Sequence, residues 1–228
     1  GKPKGVMISH SNFASSLHHQ RGAHNFRAGA RVYDFASYTF DTSWQNLLSA
    51  LECGACLCIP SNTERQNDLA GSMERFKVTH ADMTPSAAQL LPDSTLKRLD
   101  TLIVGGEALS PALAQHWAGM VNVKNAYGPC ECTPTTTVAS INPENAQVAS
   151  IGHGIGANTW IVSTAGDSLV PIGSIGELVL EGPLVGPGYL DDADRRTAAS
   201  FIENPSWLLR GSATHAGRQG RLYKTGDL

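Results

Sequence analysis

The stretch 101–123, TLIVGGEALSPALAQHWAGMVNV, decides the fold class that we predict for this chain. It begins as an apolar strand (101–104), continues after two glycines into a helical run (112–120) and ends in a short apolar strand (121–123). The same alternation extends upstream, with predicted strands at 32–36, 55–59 and 78–83 and predicted helices at 44–51, 64–76 and 86–91. Strands that alternate with helices typically form a parallel sheet with helices on its faces, so we predict an α/β fold.

The pattern of the sequence changes after residue 135, from alternating strands and helices to short apolar runs separated by turns. The runs 159–162 and 177–180 are apolar or β-branched and are separated by turns rich in Gly, Pro, Asp and Ser. One short helix, at about 194–202, is predicted to interrupt them. This pattern is typical of a smaller antiparallel β lobe. We therefore expect an α/β lobe over 1–140, followed by a β-rich lobe over 141–228.

The composition excludes several classes of function. The chain has 228 residues, of which 41% are hydrophobic and 16% charged, and its net charge of −3 gives no electrostatic reason to bind nucleic acid. No apolar run reaches the roughly 20 residues that a membrane-spanning helix needs. The five cysteines are odd in number and accompany no secretory signal. We therefore expect a cytoplasmic protein without a nucleic-acid or membrane partner.

The cysteines also raise the alternative of a metal site, because they cluster at 53–58 and 130–132. Their spacing differs from the paired C-x2-4-C knuckles of structural zinc sites. Cys56 and Cys58 lie in a predicted strand, where free cysteine behaves as a small buried hydrophobe. We therefore favour buried thiols over a metal site.

Five short motifs follow one another in this chain: GKPKG (1–5), FDTS (40–43), NAYGPCE (125–131), GEL with GYL (176–178 and 188–190), and YKTGDL (223–228). Together they resemble the adenylation domain of nonribosomal peptide synthetases, within the family of adenylate-forming enzymes. The resemblance implies the fold of the large N-terminal core of such an enzyme. Because the chain starts inside one motif and stops at another, we expect an internal fragment that is inactive alone.

The resemblance implies an ATP site. One carboxylate, Asp227, can accept hydrogen bonds from both ribose hydroxyls. The Thr-Gly-Asp tripeptide alone is more typical of an ordinary turn, and the full motif YKTGDL reverses this preference. Tyr127 offers a face for stacking on adenine, and the amide of Asn125 can pair with the adenine amino group. Gly128 provides a tight turn after Tyr127. The loop after strand 101–104 borders the adenine and the substrate in the family, and comprises Gly105, Gly106 and Glu107.

The catalytic roles implied by the resemblance fall on two residues. Lys4 closes the phosphate-binding loop and adds positive charge near the triphosphate. Glu131 supplies a carboxylate oxygen suited to Mg2+ that bridges phosphates. Family members usually carry Thr where this chain has Cys130, which affects fine positioning. We take the region 176–190 as scaffold.

The amino-acid pocket is also implied by the resemblance. Asp41 is the residue that would bind the α-ammonium group, because a buried carboxylate needs a cation. An alternative role for Asp41 or Ser43 is to cap the helix predicted at 44–51. The expected lining residues are Asp41, Thr42, Gln45, Asp82, Ile103, Gly105, Ala126, Pro134 and Thr135. The polar Gln45 and Asp82 favour a mid-sized side chain with hydrogen-bond donors, such as glutamine.

The expected function is amino-acid activation by ATP, with Mg2+, and transfer to the phosphopantetheine thiol of a carrier domain. Carrier and condensation domains are the partners that the resemblance implies. Two alternatives stay open at this point: a carboxylate–CoA ligase of the same superfamily, against which Asp41 argues, and a non-catalytic nucleotide-binding remnant.

Overall fold

The structure is a computed structural model that describes residues 4–147, 150–165, 168–191, 196–212 and 215–228. Its strands are β1 (Val6–Met7), β2 (Arg31–Tyr33), β3 (Cys56–Cys58), β4 (His80–Met83), β5 (Thr101–Gly105), β6 (Asn122–Tyr127), β7 (Thr137–Ile141), β8 (His153–Gly154), β9 (Asn158–Val162), β10 (Glu177–Glu181), β11 (Gly188–Tyr189), β12 (Phe201–Glu203) and β13 (Arg221–Lys224). Its α-helices are α1 (His10–Ala23), α2 (Asp41–Cys53), α3 (Asn62–Asn67), α4 (Leu69–Arg75), α5 (Pro85–Ala88), α6 (Asp93–Leu96), α7 (Pro111–Ala118), α8 (Arg196–Ser200) and α9 (Ser206–Arg210), and a 3-10 helix spans Cys130–Cys132.

The described residues group into two compact units. The α/β unit comprises 17–128 and 137–153, and the β unit comprises 4–16, 129–136 and 154–228. The lobes expected from the sequence, 1–140 and 141–228, follow chain order. The observed units instead place two early segments, 4–16 and 129–136, with the C-terminal part of the chain.

The α/β unit is built on a sheet with strand order β3-β2-β4-β5-β6-β7-β8. The strands from β3 through β6 pair in parallel, which confirms the predicted α/β fold. Strand β7 is antiparallel to β6, and the alternation of strands and helices did not predict it. Strand β7 runs antiparallel because the connection 128–136 is too short for a parallel crossover, which needs roughly a dozen residues or more.

Successive side chains of a strand point to opposite sides, so the central strands carry side chains on both faces of the sheet, and both faces are covered. Met83, Leu102 and Val104 belong to the larger apolar core. Ile103 points to the other face and packs in a smaller cluster with Phe26, Val32, Ala50 and Cys53. The smaller cluster lies on the face that also carries the predicted pocket residues of β4, β5 and β6.

The helix predicted over 64–76 is two helices, α3 and α4. A capping box starts α3: the Ser61 hydroxyl accepts a hydrogen bond from the Glu64 backbone N–H, and the Glu64 carboxylate accepts one from the Ser61 N–H. Asp68 then leaves the helical conformation, at φ −145° and ψ 49°. The apolar periodicity of the sequence continues across this break, because one non-helical residue hardly changes which side chains face the core. The pattern therefore predicts one helix where the structure has two.

Helix α2 begins earlier than predicted, and its N-terminal cap differs from the expected one. Phe40 is the N-cap residue and makes no side-chain capping bond, while Asp41 is the first helical residue. The Ser43 hydroxyl donates to the Phe40 carbonyl oxygen at 2.8 Å. The capping role considered for Asp41 or Ser43 is therefore wrong. The predicted end is confirmed, because Gly54 closes the helix in the left-handed region at φ 71°.

The β unit contains an antiparallel sheet in the order β12-β13-β10-β9. Its core joins Val162, Val179 and Leu222 to Trp207 and Leu208 of α9. A separate antiparallel pair, β1 with β11, sets Val6 opposite Tyr189.

The single helix predicted at 194–202 is only partly correct. Residues 194 and 195 lie outside the described residues, and α8 covers 196–200. Residues 201–203 form strand β12, because they pair with β13 from Phe201 opposite Tyr223 to Glu203 opposite Arg221. Helix α9 was not predicted, since a five-residue helix carries too little periodicity to detect.

The cysteines are free thiols in the structure. Cys53, Cys58 and Cys132 are buried, and burial raises the pKa of Cys58 to about 11. Cys56 is exposed, so its expected burial is wrong: it is the first residue of β3, a short strand at the edge of the sheet. Within the part of the chain that the structure describes, the helices are too short or too polar to cross a membrane.

Candidate active site

Lys4 and Glu131 meet in the β unit. The Lys4 Nζ atom lies 2.7 Å from Glu131 Oε1, with 44% of the lysine side chain and 5% of the glutamate side chain exposed. Tyr189 completes the group, since its hydroxyl donates to the same Glu131 oxygen at 2.7 Å and accepts from Lys4 at 3.2 Å. Strand pairing explains this geometry: β1 follows Lys4 directly and pairs with β11, which carries Tyr189.

These contacts determine the charge state of both residues. Burial acts to raise the pKa of Glu131, but hydrogen bonds from Lys4 and Tyr189 outweigh it and keep the pKa below its usual value. Burial likewise acts to lower the pKa of Lys4, but its contacts with Glu131 and Tyr189 together outweigh burial and raise it. The lysine is therefore cationic and the glutamate anionic at neutral pH.

The motif at 223–228 folds into a turn against β10. The Gly226 N–H donates to the Glu177 carboxylate at 3.1 Å, the Thr225 hydroxyl donates to the Leu178 carbonyl at 2.7 Å, and the Leu178 N–H donates to the Asp227 carbonyl at 2.9 Å. Gly226 has φ +78°, a conformation that favours glycine. The side chain of Asp227 is exposed beyond this turn. The motifs at 176–178 and 223–228 are separate in the sequence but are joined by these hydrogen bonds into one structural feature.

Two strand ends of the α/β unit carry the predicted adenine-site residues. Gly105 pairs with Ala126 across β5 and β6. A Cβ atom at Gly105 would lie 2.7 Å from the Ala126 carbonyl oxygen, so this close pairing requires glycine. Gly106 follows at φ +76°. On the neighbouring strand β6, the half-buried Tyr127 is the last residue and Gly128 follows it.

Asn125 and Glu107 already have partners within this unit. The buried Asn125 amide nitrogen donates to the Ser150 carbonyl at 2.8 Å, which turns the amide oxygen the other way. The Glu107 carboxylate accepts from the hydroxyl and the N–H of Ser86, at 2.5 and 3.2 Å. These bonds with Ser86 lower the pKa of Glu107. Glu107 therefore ties the loop after β5 to the start of α5.

The α/β unit brings together most of the predicted amino-acid pocket. Asp41, Thr42 and Gln45 occupy the first turns of α2. Asp82 lies opposite Ile103 in the register of β4 and β5. By strand alternation, the residues on one face of the sheet are Asp82, Ile103, Gly105 and Ala126. The other two residues predicted to line the pocket, Pro134 and Thr135, are buried and belong to the β unit.

Asp82 is an unusual carboxyl group. It is only 7% exposed, and among the described residues none forms a hydrogen bond or an ion pair with it. Burial, and then the negative charge of Asp41, raises the pKa of Asp82 to about 7. A buried carboxyl group without a protein partner calls for a donor or a cation from a ligand.

Gln45 is almost fully buried and is bonded to a histidine. Its Nε2 atom lies 2.8 Å from Nδ1 of His24, whose side chain is completely buried. Burial, and then the charge of Lys124, lowers the pKa of His24 to about 4. The imidazole is therefore neutral at pH 7.

Tyr189 and His24 are the two site residues that the sequence did not single out. Tyr189 lies in a motif that we took as scaffold, and its bond to Glu131 depends on the pairing of β1 with β11. His24 has no motif around it. Only its position after α1, opposite Gln45 on α2, reveals its contact.

The α/β unit has a largely parallel sheet with glycine at a strand end, and the β unit contains a lysine–glutamate pair and a Thr-Gly-Asp turn. These are the features expected of an adenylate-forming ligase. Residues 1–190 match the family described as AMP-binding enzyme, which is more than half of the chain. The chain belongs to this family.

Two fungal relatives are similar over 100% of the chain. It is 51% identical over 234 residues to nonribosomal peptide synthetase ungA of Aspergillus violaceofuscus, and 50% identical over 229 residues to peramine synthetase A of Epichloe festucae. The chain spans only 2% and 8% of the lengths of these synthetases. The relatives are therefore much larger proteins, in which the matched region is one part.

A solved structure shows the same relationship. The crystal structure of the Vibrio cholerae adenylation domain AlmE in complex with glycyl-adenosine-5'-phosphate superimposes with a TM-score of 0.82 at 26% identity. The superposition covers 99% of this chain and 43% of that one. Together with the fungal relatives, it confirms the identification as an adenylation domain of the nonribosomal peptide synthetase type and the predicted core fold.

Proposed function

We propose that the protein containing this chain activates an amino acid with ATP. A carboxylate oxygen of the amino acid attacks the α-phosphorus, the bond to the β-phosphate breaks, and pyrophosphate leaves. The aminoacyl-AMP then reacts with a phosphopantetheine thiol, which forms a thioester and releases AMP. The glycyl-adenosine phosphate bound to AlmE supports the first step by similarity.

The observation that carries the proposal is the acidic pair Asp41 and Asp82 in an AMP-binding enzyme. Burial raises the pKa of Asp82 and the negative charge of Asp41 raises it further, which indicates that the two carboxyl groups lie within electrostatic reach of each other. An amino acid supplies an α-ammonium group that removes this repulsion. A fatty or aryl acid supplies no such cation, and for this reason we favour amino-acid activation over a carboxylate–CoA ligase.

The ATP-binding roles follow from the contacts of individual residues. The amide of Asn125 is held by Ser150, so its oxygen is oriented to accept from the adenine amino group. Tyr127 stacks on the adenine, Gly105, Gly106 and Gly128 leave room for it, and Asp227 accepts from the ribose hydroxyls. Glu107 acts in this scheme by holding the loop that carries the two glycines.

We propose that Mg2+ binds as an ion shared with the nucleotide. Among the described residues there is no group of three His, Cys, Asp or Glu side chains that would enclose a metal ion. Mg2+ typically binds through one or two carboxylates plus phosphates, and Glu131 provides one such carboxylate. The bound ion would neutralise phosphate charge. Lys4 holds Glu131 in position and contributes a second positive charge near the same group.

The substrate side chain is one with hydrogen-bond donors, such as glutamine. Asp82 has no partner among the described residues, and an aliphatic side chain would leave it unpaired at a cost of about 1–3 kcal/mol. Gly105 and Ala126 contribute little side-chain volume to the same face, so a mid-sized side chain fits. Thr42, Ile103, Pro134 and Thr135 are the other lining residues that we propose.

The partners are carrier and condensation domains of the same polypeptide, as the much greater length of the fungal synthetases supports. The carrier domain would bring the phosphopantetheine thiol. The free cysteines suit a reducing compartment, and we therefore place the enzyme in the cytoplasm.

The test is amino-acid-dependent ATP–pyrophosphate exchange, on protein extended at both ends to a complete adenylation domain, with all proteinogenic amino acids. We expect exchange with one or a few amino acids that carry side-chain donors. Exchange only with aliphatic amino acids would retain the reaction and reject the pocket assignment. Adenylation of an aryl or fatty acid, with no exchange for any amino acid, would reject the role of Asp41.

A further inference from the structure

The α/β unit contains a cavity of about 530 Å3 that none of the predicted site residues lines. This volume is within the range of roughly 300–1,000 Å3 that is typical of small-molecule sites. Thr79 and Leu99 line the cavity and precede β4 and β5, whereas Gly105 of the predicted sites ends β5. Because β4 and β5 are parallel, the cavity lies at the amino ends of these strands, at the opposite edge of the sheet from Gly105.

Part of the cavity wall is apolar. Met73, Val78 and Leu99 line it and are 2%, 5% and 6% exposed. All three belong to the larger apolar core, so packing holds them in place. A ligand with an apolar body would remove the remaining water from these side chains, which favours binding.

Thr95 contributes a polar group that the fold leaves without a partner. This residue also lines the cavity and is 3% exposed, and among the described residues nothing forms a hydrogen bond with its hydroxyl. A buried hydroxyl without a partner is rare, because it has lost its water without compensation. The hydroxyl hydrogen can rotate towards an acceptor, so a ligand oxygen in the cavity would supply the missing bond.

The charged residues of the cavity leave one cation without a counterion. Arg98 forms an ion pair with Glu74 at 2.5 Å. Lys77 is exposed, and its ammonium group has no ion pair within the part of the chain that the structure describes. The chain turns from α4 towards β4 at Lys77, which has φ +51°. An anionic ligand would therefore meet an unpaired positive charge beside the apolar wall.

We propose that this cavity is a second binding site, which takes a small carboxylate with an apolar body, such as a medium-chain fatty acid. The carboxylate accepts from the Thr95 hydroxyl and pairs with Lys77, and the apolar body packs on Met73, Val78 and Leu99. One unpaired cation matches the single charge of a carboxylate, whereas a phosphate group would bring more negative charge than the cavity compensates. The site does not depend on the proposed function.

The test is binding of octanoate to the complete adenylation domain, measured by calorimetry, with 1-octanol as the uncharged control ligand. We expect saturable binding of octanoate, and binding of 1-octanol that is weaker by about five- to tenfold. The site is located by 13C NMR of methionine methyl groups, in which the Met73 signal is assigned by its loss in Met73→Leu. Octanoate should shift this signal. Saturable binding without a change at Met73, or no saturable binding, would overturn the proposal.

The Thr95 hydroxyl is tested by Thr95→Val, which keeps the shape of the side chain but removes the donor. We expect octanoate affinity to fall about five- to tenfold and the melting temperature not to fall, because the hydroxyl has no bond to lose in the free protein. Thr79→Val is the control. The Thr79 hydroxyl accepts from the Arg31 N–H at 2.9 Å, so this variant should melt at a lower temperature and keep its octanoate affinity.

The cation is tested by Lys77→Met, which should weaken octanoate binding about two- to fivefold, as for an exposed ion pair. Lys97→Met is the control, because Lys97 is exposed but does not line the cavity. Unchanged affinity in Thr95→Val or in Lys77→Met would overturn the proposal. Because these measurements need no turnover, their failure can be distinguished from failure of the proposed function, which would abolish exchange with every amino acid.

Discussion

Lys4 Nζ lies 2.7 Å from Glu131 Oε1, although the two residues are 127 positions apart in sequence. The glutamate side chain is 5% exposed, so its charge depends on this lysine and on Tyr189 for compensation. The pair links the motif that opens the chain to the motif at 125–131. It is this carboxylate that we propose would bind phosphate-bound Mg2+.

Lys4→Met is expected to lower kcat/KM for ATP about 100-fold, because it removes a positive charge near the phosphates and leaves Glu131 without its cation. The measurement is ATP–pyrophosphate exchange at varied ATP concentration. Lys97→Met is the matched control, since Lys97 is exposed on the α/β unit. Equal activity of the two variants would contradict the role of Lys4.

Tyr189→Phe is expected to destabilise the fold by about 1–3 kcal/mol, because the buried Glu131 carboxylate loses the donor at 2.7 Å. Tyr223→Phe is the control: its hydroxyl lies 3.4 Å from that of Tyr189, so we expect a cost below about 1 kcal/mol. Denaturant unfolding at pH 7 measures both. A smaller effect for Tyr189→Phe than for Tyr223→Phe would show that the bond to Glu131 is unimportant for stability.

Gly105→Ala is expected to destabilise the fold by about 1–3 kcal/mol, because the new Cβ would lie 2.7 Å from the Ala126 carbonyl oxygen, which belongs to the backbone. Gly119→Ala serves as the matched control, since a Cβ there meets no atom within 4 Å. We expect that variant to change stability by less than about 1 kcal/mol. Thermal unfolding compares the two, and equal melting temperatures would argue against the close approach at Gly105.

Asp82 is expected to make stability depend on pH. Its pKa is raised from 3.8 to about 7 in the folded state by burial and by Asp41. Between these two values the folded protein holds more protons on Asp82 than the unfolded chain does. Stability is therefore expected to fall as pH rises from about 4 to about 7, by an amount on the order of 2–4 kcal/mol from this residue, and to level off above.

Asp82→Asn removes this titration, so its stability relative to the unmodified protein should increase as pH rises over the same range. The measurement is denaturant unfolding at several pH values. Asp100→Asn is the control, because Asp100 is exposed and pairs only with Arg27 at the surface. Parallel pH profiles for the unmodified protein and Asp82→Asn would show that Asp82 has an ordinary pKa.

The α/β alternation and the adenylation-type motifs could be predicted from the sequence because both depend on short-range patterns. The apolar run of β5 ends in Gly105 and is followed by Gly106, and these adjacent residues suffice to indicate a parallel strand and its loop. The first helical residue of α2 and the split into α3 and α4 were missed. The capping box at Ser61 and the break at Asp68 each depend on individual residues, and hydrophobic periodicity does not detect features of that size.

By itself, the sequence determined the class of protein, the alternation of strands and helices from β2 to β6, and the residue types available for each role. Only the tertiary structure decided that Tyr189 joins Lys4 at Glu131, that β7 runs antiparallel to β6, and that His24 contacts Gln45. The physical reason is that a side chain's partner and pKa depend on which distant segments pack beside it. Strand pairing and burial set those neighbours, and neither is encoded within a short motif.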